Sequence, residues 1–345
     1  MIDLINEDRF NMQQCYLLLT RRCNLACSHC IRSSDRSFTE FIDMDLVKKV
    51  FFEISHKTDC SQVTMLISGG EPTLHKDFLE IIRLSTQIFP KTIINTNGLN
   101  IKSLLACAPF RERLSIQISI DGSEPMHESI RGKNTFRRTL KNVDILAKSG
   151  LSVTVATTVS RFNFNDIENL DGSLYDINFK KWNIKRLVGY GRADDDSDVL
   201  TSEWNFLVAK TQKYANHERI SIKNMFSLQS LKNMMTERFS LLEMSKMGCN
   251  CGTGRSKLYI NPNGTTYPCA CMEHKIVGDF RKHGYEYIKN SLESLDIFPK
   301  KSAICHSCNV WSLCQGGCPG VSERFDRTGD IRCPIVKKVN ESLQL

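Results

Sequence analysis

Arg22-Cys23-Asn24-Leu25-Ala26-Cys27-Ser28-His29-Cys30 places three cysteines on one short loop, directly after a strand-like run at 15–20. Three thiolates held on one tight loop can bind three irons of a 4Fe-4S cube and leave the fourth open to an exogenous ligand. An open iron is the mark of a cluster that does chemistry. The alternatives for such a loop are a zinc knuckle or a redox pair. Structural zinc, however, wants four ligands and usually pairs two-residue spacings, which this loop does not supply.

Outward from the loop, short apolar, β-branched runs alternate with segments of helical period. Strands are expected at 15–20, 63–68, 92–96, 114–120, 153–159 and 182–187, with helices at 43–56, 77–88 and 135–149, the last ending at Gly150. Six strand-then-helix units make an α/β chain. Periodicity leaves open whether the parallel strands form a doubly wound sheet or an incomplete barrel. In both, ligand-binding residues belong at the C-terminal ends of the strands. Past Arg192 the pattern gives way to an acidic loop and then to Lys- and Met-containing helical stretches up to Met247, in which the methionines read as packing. Short strands, an Asn261-Pro262-Asn263-Gly264 turn and many cysteines follow, a segment that needs metal to fold. The expected division is a barrel over 1–192, a helical bridge over 193–248 and a small cysteine-rich domain over 249–345.

Of the 345 residues, 41% are hydrophobic and 24% charged, and no apolar run approaches the roughly 18 residues that span a bilayer. No membrane role is expected. The first eight residues lack a basic-then-apolar signal layout, so the expected location is cytoplasmic. A reducing cytosol would not keep fifteen cysteines as disulfides. Nine of them fall between Cys249 and Cys333, which points to metal, while Cys15, Cys60 and Cys107 stand apart and read as buried hydrophobes. The formal charge of +8 does not argue for nucleic acid. A four-cysteine 4Fe-4S centre brings about −2 and a three-cysteine one about −1, so three clusters reduce the sum to roughly +3.

The Cys23, Cys27 and Cys30 spacing resembles the motif of the radical S-adenosylmethionine (SAM) family, in which the open iron chelates the methionyl amine and carboxylate of SAM. The resemblance implies a partial (β/α)6 TIM-like barrel. Ser68-Gly69-Gly70-Glu71-Pro72 looks like the family's segment for the SAM amine, with Glu71 either fixing the loop or accepting from the amine. Asn97, in Asn95-Thr96-Asn97-Gly98, and Ser119 and Asp121, in Ser119-Ile120-Asp121-Gly122, resemble positions that meet the SAM ribose and carboxylate. Arg131 is suited to pair a carboxylate, and His29 fills a place where the family often stacks an aromatic on adenine.

The C-terminal pattern, Cys251-x12-Gly264-x4-Cys269, then Cys305-x2-Cys308-x5-Cys314-x3-Cys318, then Cys333, resembles the SPASM domain. That resemblance implies two auxiliary 4Fe-4S clusters with crossed ligands. One would use Cys251, Cys269 and Cys318, with Cys249 as the leading fourth ligand and Cys271 as the next. The other would use Cys305, Cys308, Cys314 and Cys333.

By the same resemblance, an external one-electron reductant such as flavodoxin or ferredoxin drives cleavage of SAM, and the resulting 5′-deoxyadenosyl radical abstracts hydrogen. The expected substrate is a ribosomally made precursor peptide that acquires a carbon-carbon, ether or thioether crosslink. Formylglycine formation in a sulfatase is the alternative. Sulfatase-maturing relatives carry an aspartate just after the cysteine matching Cys269, where this chain has Ala270. RNA modification and a purely electron-carrying role rank below both. About fifteen residues precede the first strand, too few for a separate leader-binding domain, so a leader is expected to add to a sheet edge or to meet the bridge.

Overall fold

The computed structural model describes residues 10–194, 197–222 and 252–296, then 305, 308, 314, 316–324, 329–333 and 335–336. Cys249, Cys251 and half of the expected bridge, from 223 onward and at 195–196, lie outside the described residues. Six strands run in parallel in chain order: β1 (Gln14–Leu18), β2 (Thr64–Ser68), β3 (Lys91–Thr96), β4 (Leu114–Ser119), β5 (Ser152–Val159) and β6 (Lys181–Arg186). Between them lie α1 (Met44–Lys57), α2 (Phe78–Ile88), α3 (Ile101–Leu105), α4 (Glu124–Arg131), α5 (Phe136–Lys148) and α6 (Ile167–Leu174), and α7 (Thr201–Thr211) follows β6.

The strand order chooses between the two folds left open by periodicity. A doubly wound sheet reverses its order partway and so has helices on both faces. Here the order never reverses. Right-handed crossovers then put every helix on one face, and the twisted sheet curls around its other face as an open barrel. Strand β5 shows both faces: Val153, Val155, Thr157 and Val159 are buried, while Ser152, Thr154, Ala156 and Thr158 are half-buried. The buried valines join α5 through Val143 and Leu146 and α6 through Ile167 and Leu170 in one core. Each such aliphatic side chain contributes roughly 1.5–3 kcal/mol. The half-buried set lines the concave inner face, which is polar.

Local signals explain the helix ends. The Asp43 carboxylate accepts from the Leu46 N–H at 2.8 Å and starts α1, whose Leu46, Val47, Val50 and Ile54 face the core. Gly150, at φ +84°, takes the left-handed position just past α5.

Among the described residues, the strands of the cysteine-rich region join the barrel sheet. β8 (Lys257–Ile260) runs parallel to β1, pairing Gln14 with Lys257, and β9 (Thr265–Tyr267) and β10 (Gly278–Asp279) add to it in antiparallel fashion. The Asn261–Gly264 turn joins β8 to β9, with the Gly264 N–H donating to the Asn261 carbonyl. β7 (Ile220–Ser221) ends the sheet beyond β6, giving the order β10-β9-β8-β1-β2-β3-β4-β5-β6-β7. α8 (Gly284–Glu293) packs on α1, where Glu53 accepts from the Tyr285 N–H at 2.6 Å, and α9 (Pro319–Arg324) follows Cys318. No helix among the described residues is long and apolar enough to cross a membrane.

Candidate active site

The loop carrying Cys23, Cys27 and Cys30 leaves the C-terminal end of β1 and is tied down from several directions. Cys23 donates its N–H to the Asp35 carbonyl, Ser28 donates to the Ile130 carbonyl, and Arg192 donates its N–H to the Cys30 carbonyl. The Arg192 side chain adds bonds to the Cys27 and Ser34 carbonyls, each at 2.8 Å. Gly191, at φ +71°, lets this clamp approach, since a Cβ there would lie 2.3 Å from the Cys30 carbonyl oxygen. None of the three thiols is in a disulfide. The Cys23 sulfur accepts from the Leu25 N–H at 3.4 Å, and Arg131 Nη1 lies 3.8 Å from the Cys27 sulfur. Soft thiolates with an N–H and a guanidinium turned toward them suit an iron-sulfur cluster.

Gly69 and Gly70 lie where a side chain would not fit. A Cβ at Gly69 would lie 2.4 Å from the Thr20 carbonyl oxygen, and one at Gly70 2.4 Å from that of Arg22. The two glycines therefore let the β2 loop lie against the chain's own backbone just ahead of Cys23. The Gly70 and Glu71 N–H groups bond there, to Thr20 and Arg22. Pro72 is buried and opens the 3-10 turn that follows, while Ser68 closes β2 half-buried.

Glu71 is 1% exposed, and its donors all come from the loops after β2 and β3. One carboxylate oxygen accepts from the Thr73 N–H and hydroxyl and from the Thr96 hydroxyl, and the other accepts from the Asn97 N–H at 2.8 Å. Burial pushes the Glu71 pKa up, against the pull of these donors. Asn97 in turn donates its side-chain amide to Asn24 on the cysteine loop at 2.8 Å.

Asp121, expected to meet SAM, is fully buried and occupied within the protein. It accepts from Arg131 Nε at 2.5 Å and the Thr158 N–H at 2.8 Å, and His29 Nε2 lies 2.7 Å away. Burial raises its pKa, but Arg131 and His29 outweigh that and hold the carboxyl well below the usual range. Arg131 thus has its carboxylate partner inside the protein, and His29, expected as a stacking surface, is also anchored by Asp121. His127 backs this group by accepting from the Asp121 N–H at 3.3 Å, and burial, followed by the nearby Arg131, lowers its pKa to about 4. Ser119 closes β4 on the concave face, half-buried.

Below these loops the concave face carries an amide ladder. Asn183 donates to Gln117 at 3.1 Å, and Gln117 donates to Asn95 at 2.8 Å. At the β1 side Tyr16 stacks on Tyr259 with centroids 4.1 Å apart, and Tyr259 stacks on Tyr267 at 5.6 Å. Arg32, two residues past Cys30, donates to the Tyr267 hydroxyl at 2.5 Å.

Two of the C-terminal cysteines reach the same region. Cys269, Cys271 and Met272 are buried against Ile31 of the cysteine loop and against Val188 and Tyr190. The Cys271 N–H donates to the Cys269 sulfur at 3.4 Å. Buried Asp330 joins the remaining ligand candidates. It accepts from the Cys318 N–H and from Arg332, and its carbonyl accepts from the Cys333 N–H. Cys308 donates its N–H to the Cys305 carbonyl, Gly317 donates to that of Cys314, and a Cβ at Gly329 would lie 3.7 Å from the Cys305 sulfur. Cys15 and Cys107 are buried in the barrel core, and Cys60 is half-buried at a turn. The Tyr190 hydroxyl donates to the Gly320 carbonyl at 2.6 Å, and the Asp279 carboxylate accepts from the Arg281 N–H on the outer strand.

Arg192 and Asp330 sit in no motif singled out in the sequence, and Thr96 lies inside the Asn95–Gly98 motif without a role of its own assigned there. The one available signal was Gly189-Tyr190-Gly191 just after the last long strand, the place where a barrel keeps its functional loops.

A family model described as the Radical SAM superfamily matches residues 17–172, and one described as an iron-sulfur cluster-binding SPASM domain matches residues 249–309. The chain is 26% identical over 278 residues to the antilisterial bacteriocin subtilosin biosynthesis protein AlbA of Bacillus subtilis, covering 79% of this chain but only 58% of AlbA. It is 27% identical over 321 residues to the mycofactocin maturase MftC of Mycolicibacterium smegmatis, covering 87% of this chain and 76% of MftC. The fold matches that of Streptococcus suis SuiB bound to S-adenosylmethionine with a TM-score of 0.76 and 16% identity, over 96% of this chain and 80% of SuiB. With three cysteines on the loop after β1 and both family models matched, this chain is a radical SAM enzyme carrying a SPASM region, with SAM, a 4Fe-4S cluster and additional iron-sulfur clusters as its cofactors.

Proposed function

We propose that the enzyme abstracts hydrogen from a ribosomally synthesised precursor peptide and installs a crosslink between two of its side chains, through carbon-carbon, ether or thioether bonding. The observation that carries this reading is the polar, half-buried concave face that runs beneath the cysteine loop along β3, β4, β5 and β6. An extended peptide needs a trough with hydrogen-bonding side chains along its length, and the Asn95, Gln117 and Asn183 amides provide one. The similarity to AlbA and MftC favours the same substrate class, as does the likeness of the fold to SuiB, which has also been solved bound to its precursor peptide SuiA.

When bound, the Cys23, Cys27 and Cys30 cluster and SAM supply a 5′-deoxyadenosyl radical. The protein's part is positional. The paired Asp121, Arg131 and His29 fix the loop, Glu71 fixes the β2 and β3 loops to each other, and the walls hold one C–H near the radical carbon while excluding water. Cys251, Cys269 and Cys318, with Cys249 or Cys271 as the fourth ligand, and Cys305, Cys308, Cys314 and Cys333 would hold two auxiliary clusters, which would offer an acceptor for the second electron that an oxidative crosslink releases. A flavodoxin or ferredoxin supplies the first.

Tandem mass spectrometry tests this on the short peptide encoded beside the gene, after anaerobic incubation with loaded enzyme, SAM and reductant. Loss of two hydrogens, with fragments missing between two linked side chains, is expected. An unchanged peptide, together with conversion of a sulfatase serine or cysteine to formylglycine, would replace this reading with the alternative. Ala270 argues against that alternative.

A further inference from the structure

At the N-terminal ends of the strands, opposite the cysteine loop, a groove of about 360 Å³ opens between β5, β6 and β7. Ser115, Ser152 and Thr154 form its floor, and all three belong to the half-buried concave face. Its rim carries Lys91, Lys180 and Lys181, all exposed. No described carboxylate lies in ion-pair range of these three ammonium groups. The fourth cation, Arg219, is already committed to the Ile177 carbonyl and lies over the Phe179 ring at 4.8 Å. Glu218 is the single acid of the lining.

Exposed lysines are most simply solvated, but two features of this site go beyond solvation. The first is continuity, because the hydroxyl floor runs along β4 from Ser115 to Ser119, about 13 Å at 3.3 Å per residue, up to the level of the cysteine loop. The second is β7, which ends the described sheet with one side unpaired and borders the groove through Ile220 and Ser221. An edge strand accepts another extended chain by main-chain hydrogen bonds, and cations beside it select one bearing carboxylates.

We infer that this groove docks an acidic, extended segment of the precursor peptide. The inference rests on the peptide-maturase reading above and names the surface that recognises the substrate. The segment lies against β7 with its carboxylates at Lys91, Lys180 and Lys181. The chain then crosses the concave face, so the residue to be modified lies about five or more positions from the docked carboxylates.

The test is fluorescence anisotropy on the full, cluster-loaded enzyme without turnover. The probes are a labelled twelve-residue Glu-Ala repeat and a matching Lys-Ala repeat. Wild type should bind the acidic probe and not the basic one. The double variant K180E/K181E should weaken the acidic probe about tenfold, and K91E, across the groove, should weaken it separately. K102E/K141E makes the same change in net charge on the outer helices and should stay within about twofold, since screening shortens the reach of surface charge. Equal weakening by both double variants, or none by K180E/K181E, overturns the inference. Either result leaves peptide modification by the wild-type enzyme standing, because that is read separately by mass spectrometry. Melting temperatures of the variants show whether each is folded.

Discussion

Two buried carboxylates of the site are set in opposite directions, and their neighbours explain it. Glu71 is surrounded by neutral donors, so desolvation wins and its pKa rises, whereas Asp121 faces the Arg131 guanidinium and accepts from His29 and Thr158, which together outweigh the same desolvation. Their replacements should differ accordingly. Asp121→Asn strands the buried Arg131 and should cost roughly 3–5 kcal/mol in chemical denaturation, while Glu71→Gln loses neutral hydrogen bonds and should cost about 1–3 kcal/mol. The reverse order would contradict this account. His127 gives a pH test. It stays neutral in the folded protein down to about 4, while the unfolded chain protonates near 6.5, so the stability it contributes falls as pH drops between those values. His127→Gln should flatten that part of the profile by on the order of 3 kcal/mol. An unaltered slope would show that His127 is not the group responsible. The sequence made the motif positions legible but not these partners. Asp121 meets His29 across 92 residues, and Arg131 meets Cys27 across 104, separations at which local pattern carries no information.

The elements show the same division between local and distant. Alternation and turn residues placed all six long strands and the ends of α1 and α5, because each depends on neighbours a few positions away. They did not reveal that β8 pairs with β1. Four residues are enough to make a strand, but no local signal says that Lys257 lies beside Gln14. The barrel sheet continues into the cysteine-rich segment through β8, β9 and β10. Close backbone approach was legible as glycine, though what is approached was not. Gly70→Ala forces a Cβ onto the Arg22 carbonyl, and Gly191→Ala does the same at Cys30. Each should reduce the iron bound per chain by about four, leaving the auxiliary iron in place, as read by iron analysis and electron paramagnetic resonance. Full iron content in both would show that the loop tolerates displacement.

For the molecule as a whole, the account separates a cluster that begins the chemistry from clusters that receive its electron. Replacing Cys23, Cys27 and Cys30 together by alanine should abolish 5′-deoxyadenosine formation while about eight irons per chain remain. Undiminished SAM cleavage in that variant would remove the N-terminal loop from the mechanism. Beside the pairing of β8 with β1, the packing of Cys269 and Cys271 against Ile31 brings these two cysteines next to the N-terminal cysteine loop. The most direct test of the central claim uses a precursor peptide that is deuterated throughout its side chains, incubated anaerobically with loaded enzyme, SAM and reductant. The account predicts that deuterium enters 5′-deoxyadenosine in step with formation of the crosslinked peptide. Unlabelled 5′-deoxyadenosine beside an unchanged peptide would contradict it.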